Sequence, residues 1–331
     1  IIWDKEPNSD NTASIEIPAD KLPEHPACWG YHVRDEPKVA DFPILKKRID
    51  EIHKERPGKI AFVNLNPQYI PEHTWGADSY YDYLDQAARD LDLSILCMDH
   101  YPTMKPDEDS REKYLFNLEM MRQVSQKYNI PFWNFFNCMP YAHHLKPTEA
   151  QLNWQIYSSL AYGAKGVLYF CYWTPVTQEL KKGYAIIRPD GTRTPQYEQA
   201  KRINAKLKKL GPTLMKLTCS NVIRIEPGSN IGDLLEGTAV KSIIPDEVND
   251  YLIGIFKHSD GRTAILLNNY NFSYITCPTV AFGVDMSNVV EICQETGQEI
   301  PVRDDNPGTD GYQISLEPGC GRLFLFSEGS M

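Results

Sequence analysis

The 331-residue sequence has no cluster of lysine and arginine, no C-x-x-C pair, no glycine-rich phosphate turn and no long apolar run. Each absence removes a class of function. With 44 acidic against 34 basic residues and a formal charge of -10, the surface repels phosphate backbones, so no nucleic-acid partner is expected. The longest apolar stretch, Gly166 to Trp173, is far short of the roughly 20 residues that span a bilayer. No membrane span is expected, and the chain reads as soluble. The 8 cysteines stand singly and read as buried thiols rather than zinc ligands or a redox pair. His143-His144 is the only adjacent His pair and has no acidic or cysteine partner at ligand spacing, so neither a metal nor a cofactor is expected. The numbered chain begins without Met and without a signal-like apolar region, as a mature or trimmed form would.

What is present is a recurring unit: an apolar strand-like run, a polar or aromatic tip, a proline, then a helix-patterned stretch. It occurs five times, with tips at Asp35-Glu36-Pro37, Asn64-Leu65-Asn66-Pro67, Asp99-His100-Tyr101-Pro102, Asn137-Cys138-Met139-Pro140 and Tyr172-Trp173-Thr174-Pro175. The prolines are 30, 35, 38 and 35 residues apart (67−37, 102−67, 140−102, 175−140), the length of one βα unit. Between tips the apolar period becomes helical, as at Leu45, Ile49 and Ile52, then Leu115, Leu118 and Met121, then Ile203, Leu207 and Leu210. Alternating strand and helix implies a parallel sheet covered by helices, because a parallel strand needs a crossover whose apolar stripe must be buried. Polar residues gather where strands end, which is the catalytic face of a (β/α) barrel. An open doubly wound sheet would use the same edge but usually brings a phosphate turn. A TIM-type (β/α) barrel is therefore expected over residues 1–212. Five units leave three unaccounted for: either they lie upstream of residue 1 or the sheet closes in an unusual way.

After Leu210-Gly211-Pro212 the pattern changes to short strands. Leu252 to Phe256 and Thr263 to Leu267 flank an Asp-Gly turn, Val289 to Cys293 turns at Glu295-Thr296-Gly297, and Tyr312 to Leu316 turns at Pro318-Gly319 into Leu323 to Phe326. Three hairpins predict a C-terminal antiparallel β-sandwich over residues 213–331.

Carboxyls at strand tips are the groups that glycoside hydrolysis needs, as proton donor and as nucleophile or water-activating base. Only Asp35, Glu36 and Asp99 qualify. A period of two puts His32, Arg34 and Glu36 on one face, opposite Tyr31 and Val33, so Glu36 is expected at the barrel mouth with Arg34 beside it. The structural alternative is that Asp35 and Glu36 cap the helix opened by Pro37. His100 and Tyr101 suit hydrogen bonds to a carboxylate or a sugar hydroxyl. Trp133 and Trp173 suit stacking on a sugar, although either could be core. Asn64, Asn66 and Asn137 suit neutral hydroxyl recognition.

The stretch Trp29-Gly30-Tyr31-His32-Val33-Arg34-Asp35-Glu36-Pro37 resembles the fourth-strand signature of clan A glycoside hydrolases, whose Asn-Glu-Pro tip carries the acid/base Glu; here Asp35 stands in place of the Asn. With Val63-Asn64-Leu65-Asn66-Pro67, Asp99-His100-Tyr101-Pro102, Gly163-Ala164-Lys165-Gly166 and Tyr169-Phe170-Cys171-Tyr172-Trp173, the chain from about residue 28 onward is similar to family 5 and family 42-like proteins of gut Bacteroidetes. The resemblance implies strands four to eight, a His/Tyr pair on strand six and a sugar-platform Trp on strand eight. It also implies a nucleophilic Glu at the tip of strand seven, where Pro131 to Asn137 carries none and Asn137 ends the strand. The expectation is a periplasmic or extracellular glycosidase acting on a carbohydrate, with Glu36 as general acid/base and Asp99 as its partner. The alternative is a catalytically silent sugar-binding relative.

Overall fold

The computed structural model describes residues 1–7, 14–105, 107–176, 183–245, 250–303, 308 and 311–327. They form two compact units, one of residues 1–102 and 109–135, the other of 103–108 and 136–331. The expected boundary at 212/213 is not where the contacts divide.

In the first unit, β1 (Ile2–Trp3) pairs in parallel with β2 (Gly30–Asp35), and β2 with β3 (Ile60–Asn64). A parallel bridge from Leu65 to Met98, with the Leu65 N–H on the Cys97 carbonyl at 2.7 Å, joins β3 to β4 (Leu96–Asp99). β4 in turn pairs in parallel with residues 132–135. The edge strand Ile2–Trp3 was not expected from the sequence. Three helices succeed the strands as the apolar stripes require. α1 (Phe42–Glu55) buries Phe42, Leu45, Ile49 and Ile52, and α2 (Tyr80–Asp90) buries Tyr80, Tyr83, Leu84 and Ala87. α3 (Arg111–Tyr128) buries Tyr114, Leu115, Leu118 and Met121. The Ser79 hydroxyl caps α2 by accepting the Asp82 N–H at 3.1 Å. Asn129, at φ 53°, ends α3 in the left-handed conformation. One sheet face carries a row of rings: His32 lies 4.0 Å from Trp3 and 5.5 Å from Phe62, and Phe62 lies 6.2 Å from Trp133.

In the second unit, α4 (Glu149–Ala161) opens with a capping box between Thr148 and Gln151. It packs against a six-stranded antiparallel sheet ordered Leu217–Ile225, Tyr251–His258, Thr263–Asn269, Gly321–Phe326, Val289–Ile292, Glu299–Pro301. The Asn268 amide donates to the Tyr157 carbonyl at 3.0 Å. At Gly254 a Cβ would stand 2.4 Å from the Ala161 carbonyl oxygen, so only glycine permits that approach. This packing ties α4 to the β-sheet and moves the division upstream of residue 212. A second sheet, Val240–Ile244, Thr279–Phe282 and Tyr312–Gln313, encloses with the first a core that includes Ile243, Tyr251, Ile265, Val280, Phe282 and Phe324. Two of the expected hairpins form. The third does not: Tyr312–Gln313 pairs with Thr279–Val280, whereas Gly321–Phe326 pairs with Thr263–Asn269 in the other sheet. The Pro318-Gly319 turn, with Gly319 at φ 70°, carries the chain from one sheet to the other. Among the described residues no closed barrel forms and no helix is long and apolar enough to cross a membrane.

Candidate active site

The site begins with an irregularity in β2. His32 faces Phe62, but Arg34, not Val33, faces Val63, and Asp35 faces Asn64. Paired residues on neighbouring strands share a face, so this bulge interrupts the period of two and re-aims the side chains beyond it. Arg34 turns to the face of Val63 and pairs with Asp41 at 3.5 Å. The expected grouping of His32, Arg34 and Glu36 on one face is therefore corrected: Asp35 joins Asn64, and Arg34 has Asp41 as its partner. Glu36 then lies at φ 45°, a left-handed conformation costly for a residue with a Cβ. Its N–H bonds the Asn64 carbonyl at 2.8 Å. The next carbonyl, that of Pro37, accepts from the Asn66 amide at 2.9 Å and the Tyr83 hydroxyl at 2.8 Å. Asn66, expected to read sugar hydroxyls, is instead buried and holds the backbone bend that presents Glu36.

Asn64 lies at the centre. Its side-chain amide donates to Asp35 Oδ1 and to Asp99 Oδ1, each at 3.0 Å, so one NH₂ spans the tips of three adjacent strands. Burial pushes the Asp99 carboxyl up to about 7 and the charge of Glu36 adds to this; Asp35 raises it further, while hydrogen bonds from Asn64 and Tyr101 pull it down. The Glu36 carboxyl is also raised, by desolvation and then by the charge of Asp35. Burial is the largest cause in both carboxyls, and at a value of about 7 Asp99 keeps its proton in part near neutrality. That is the condition for a carboxylic acid able to donate at pH 7.

His100, expected to meet substrate, is enclosed between the rings of Tyr69 at 4.8 Å and Tyr114 at 5.3 Å, with Nδ1 3.3 Å from Asn117 Oδ1. Tyr101 is partly exposed and bonds Asp99. Trp133 is partly exposed on the strand beside β4. Asn137 and Trp173 belong to the second unit. Asn137 is buried, its N–H on Gln155 and its side-chain oxygen accepting the Met139 N–H at 3.0 Å. Trp173 is 51% exposed and its carbonyl accepts the Cys171 thiol. The sequence pattern did not single out Tyr69, whose position two residues beyond the Asn64-to-Pro67 tip was the available signal. Nor did it single out Tyr83 and Asn117, which no local pattern marks. Among the described residues there is no group of three or more His, Cys, Asp or Glu suited to a metal.

The glycoside hydrolase family 42 model, described as beta-galactosidase, matches residues 44–210, just over half of the 331-residue chain. The chain belongs to that family. The family match takes in Asn64, Asn66, Asp99, His100, Tyr101, Trp133, Asn137 and Trp173, whereas Arg34 and Glu36 lie just before it. Among solved structures, a catalytic mutant of a family 42 beta-galactosidase from G. stearothermophilus is similar, with a TM-score of 0.50 and 8% identity over 86% of this chain and 66% of that one. At that identity the likeness is one of fold, that of the glycoside hydrolase (β/α) barrel. A beta-galactosidase from Marinomonas ef1 matches with a TM-score of 0.40 and 16% identity over 52% of this chain. A family 39 glycoside hydrolase from Bacteroides cellulosilyticus matches with a TM-score of 0.46 and 14% identity over 90% of this chain and 58% of its own. The chain spans 27% of the Marinomonas enzyme. No curated protein matches it.

Proposed function

We propose that this family 42 chain is a glycosidase that cleaves a poly- or oligosaccharide by carboxyl acid/base catalysis, with Glu36 as the general acid/base and Asp99 as its partner. The observation that carries the reading is the Glu36–Asp99 pair, raised in pKa and assembled with Asn64 at the tips of adjacent parallel strands. Glu36 is exposed and faces substrate, whereas Asp99 is almost enclosed. This role needs a proton on Glu36, which its desolvation and the charge of Asp35 favour. As the glycosidic bond breaks, Glu36 gives its proton to the leaving oxygen, and a water molecule adds to the anomeric carbon and returns one proton to Glu36, so that the free alcohol and the sugar hemiacetal are released and the starting protonation is restored. Tyr101 keeps Asp99 oriented, while Asn66 and Tyr83 fix the bend beneath Glu36. Trp133, partly exposed on the strand beside β4, supplies aromatic surface for the sugar. The description of the family and the names of the similar proteins make aryl β-galactosides the first substrates to try.

The test is Glu36→Gln, assayed on a panel of aryl glycosides. The amide keeps the shape and removes the transferable proton. Turnover is expected to fall by about 10² or more with the circular dichroism unchanged. Full activity in a folded Glu36→Gln variant would rule out this assignment.

A further inference from the structure

We propose that Tyr69 is the sugar-facing wall of this site, its ring stacking on the apolar face of a neutral pyranose held against Glu36 while it shields Asp99 from water. The inference rests on the roles given to Glu36 and Asp99 above and adds a residue from outside the strand tips. Three observations place it. Tyr69 is 46% exposed, yet its ring packs edge-on against His100 with centroids 4.8 Å apart and planes at 68°. The loop that carries it is clipped down: the Gln68 N–H donates to Asn117 Oδ1 at 2.7 Å, and the same oxygen lies 3.3 Å from His100 Nδ1. The phenol is raised by burial first, then by the charges of Asp99 and Glu36. The ring therefore stands against His100, the residue next to Asp99, while nearly half of the residue's surface stays open to solvent.

That geometry suits one kind of ligand. An aromatic face at the mouth of a polar site takes the C–H face of a sugar ring, and the nearby polar groups take its hydroxyls. Because the phenol is raised it stays protonated, so it donates to a sugar oxygen or to a carboxylate. Asp35, Glu36 and Asp99 together repel an anionic ring, which selects a neutral pyranoside over a uronic acid.

The experiment compares Tyr69→Ala and Tyr69→Phe in the full chain. The Michaelis constant for a neutral aryl glycoside is measured, and Asp99 is titrated by carboxyl ¹³C NMR. Tyr69→Ala is expected to raise KM about tenfold, the loss of one stacking contact, and to move the Asp99 midpoint down from about 7 as water enters. Tyr69→Phe, which keeps the ring, is expected to hold KM within about threefold of the parent. An unmoved KM or an unmoved Asp99 midpoint in Tyr69→Ala overturns the proposal, as does Tyr69→Phe behaving like Tyr69→Ala. The titration reads the shielding even in a chain that hydrolyses no glycoside, so failure of the hydrolase reading is seen separately.

Discussion

Asn64 donates its side-chain amide to Asp99 across neighbouring parallel strands at 3.0 Å, and the same nitrogen reaches Asp35 at 3.0 Å. This bond opposes the burial that raises Asp99, because it favours the ionised form. Asn64→Leu removes it. The Asp99 midpoint should rise above its present value of about 7, and kcat/KM should fall about tenfold, the worth of one hydrogen bond to a charged group. Carboxyl NMR and the pH–rate profile both read this, and a downward shift of Asp99 would contradict it.

Asp99 also makes stability depend on pH. Its folded value of about 7 lies above the reference value of 3.8. Below 3.8 both states hold the proton. As pH rises from there the unfolded chain releases its proton and the folded one keeps it, so stability falls until pH passes about 7. Asp99→Asn should remove this slope, leaving stability near pH 4 unchanged and raising it at pH 8 by about 2 to 4 kcal/mol. Urea denaturation at the two pH values measures the difference.

Glu36 sits at φ 45° without the freedom of a glycine. Glu36→Gly should therefore stabilise the fold by about 1 kcal/mol while abolishing activity, the signature of strain held at a functional position. A lower denaturation midpoint in Glu36→Gly would show that the bend is not strained.

A buried ion pair anchors the edge strand. Asp4 is 0% exposed and its Oδ2 lies 3.0 Å from Arg48 Nε of α1, while Arg48 Nη2 also bonds the Ile17 carbonyl at 2.6 Å. Desolvation raises Asp4 in spite of Arg48, so the pair is costly to bury yet more costly to break. Asp4→Ala should destabilise the first unit by about 3 kcal/mol, read as a shift in the denaturation midpoint.

From Gly30 onward the alternation of strand and helix in the first unit is legible along the chain. The spacing of the tip prolines gave the βα units, and the stripes at Leu45, Ile49, Ile52 and at Leu115, Leu118, Met121 gave the helices, because a 3.6-residue period is a local property of the chain. The sequence by itself also placed Glu36, Asn64 and Asp99 at strand ends, and two of the three hairpins behind them. Tertiary structure alone decided the rest. The bulge that sends Arg34 to Asp41 and Asp35 to Asn64 is a property of the register between β2 and β3, which no run of one strand records. The division of the chain upstream of residue 212 results from α4 lying on the β-sheet at Gly254. The partners of the Pro318-Gly319 turn depend on which sheet each flanking strand joins. Asn66 and His100 looked like substrate ligands because their polarity is local, whereas their burial is set by Tyr83, Tyr114 and Asn117 arriving from distant helices. Residue type and period are written along the chain; register, burial and the pKa shifts they cause arise only when segments far apart meet.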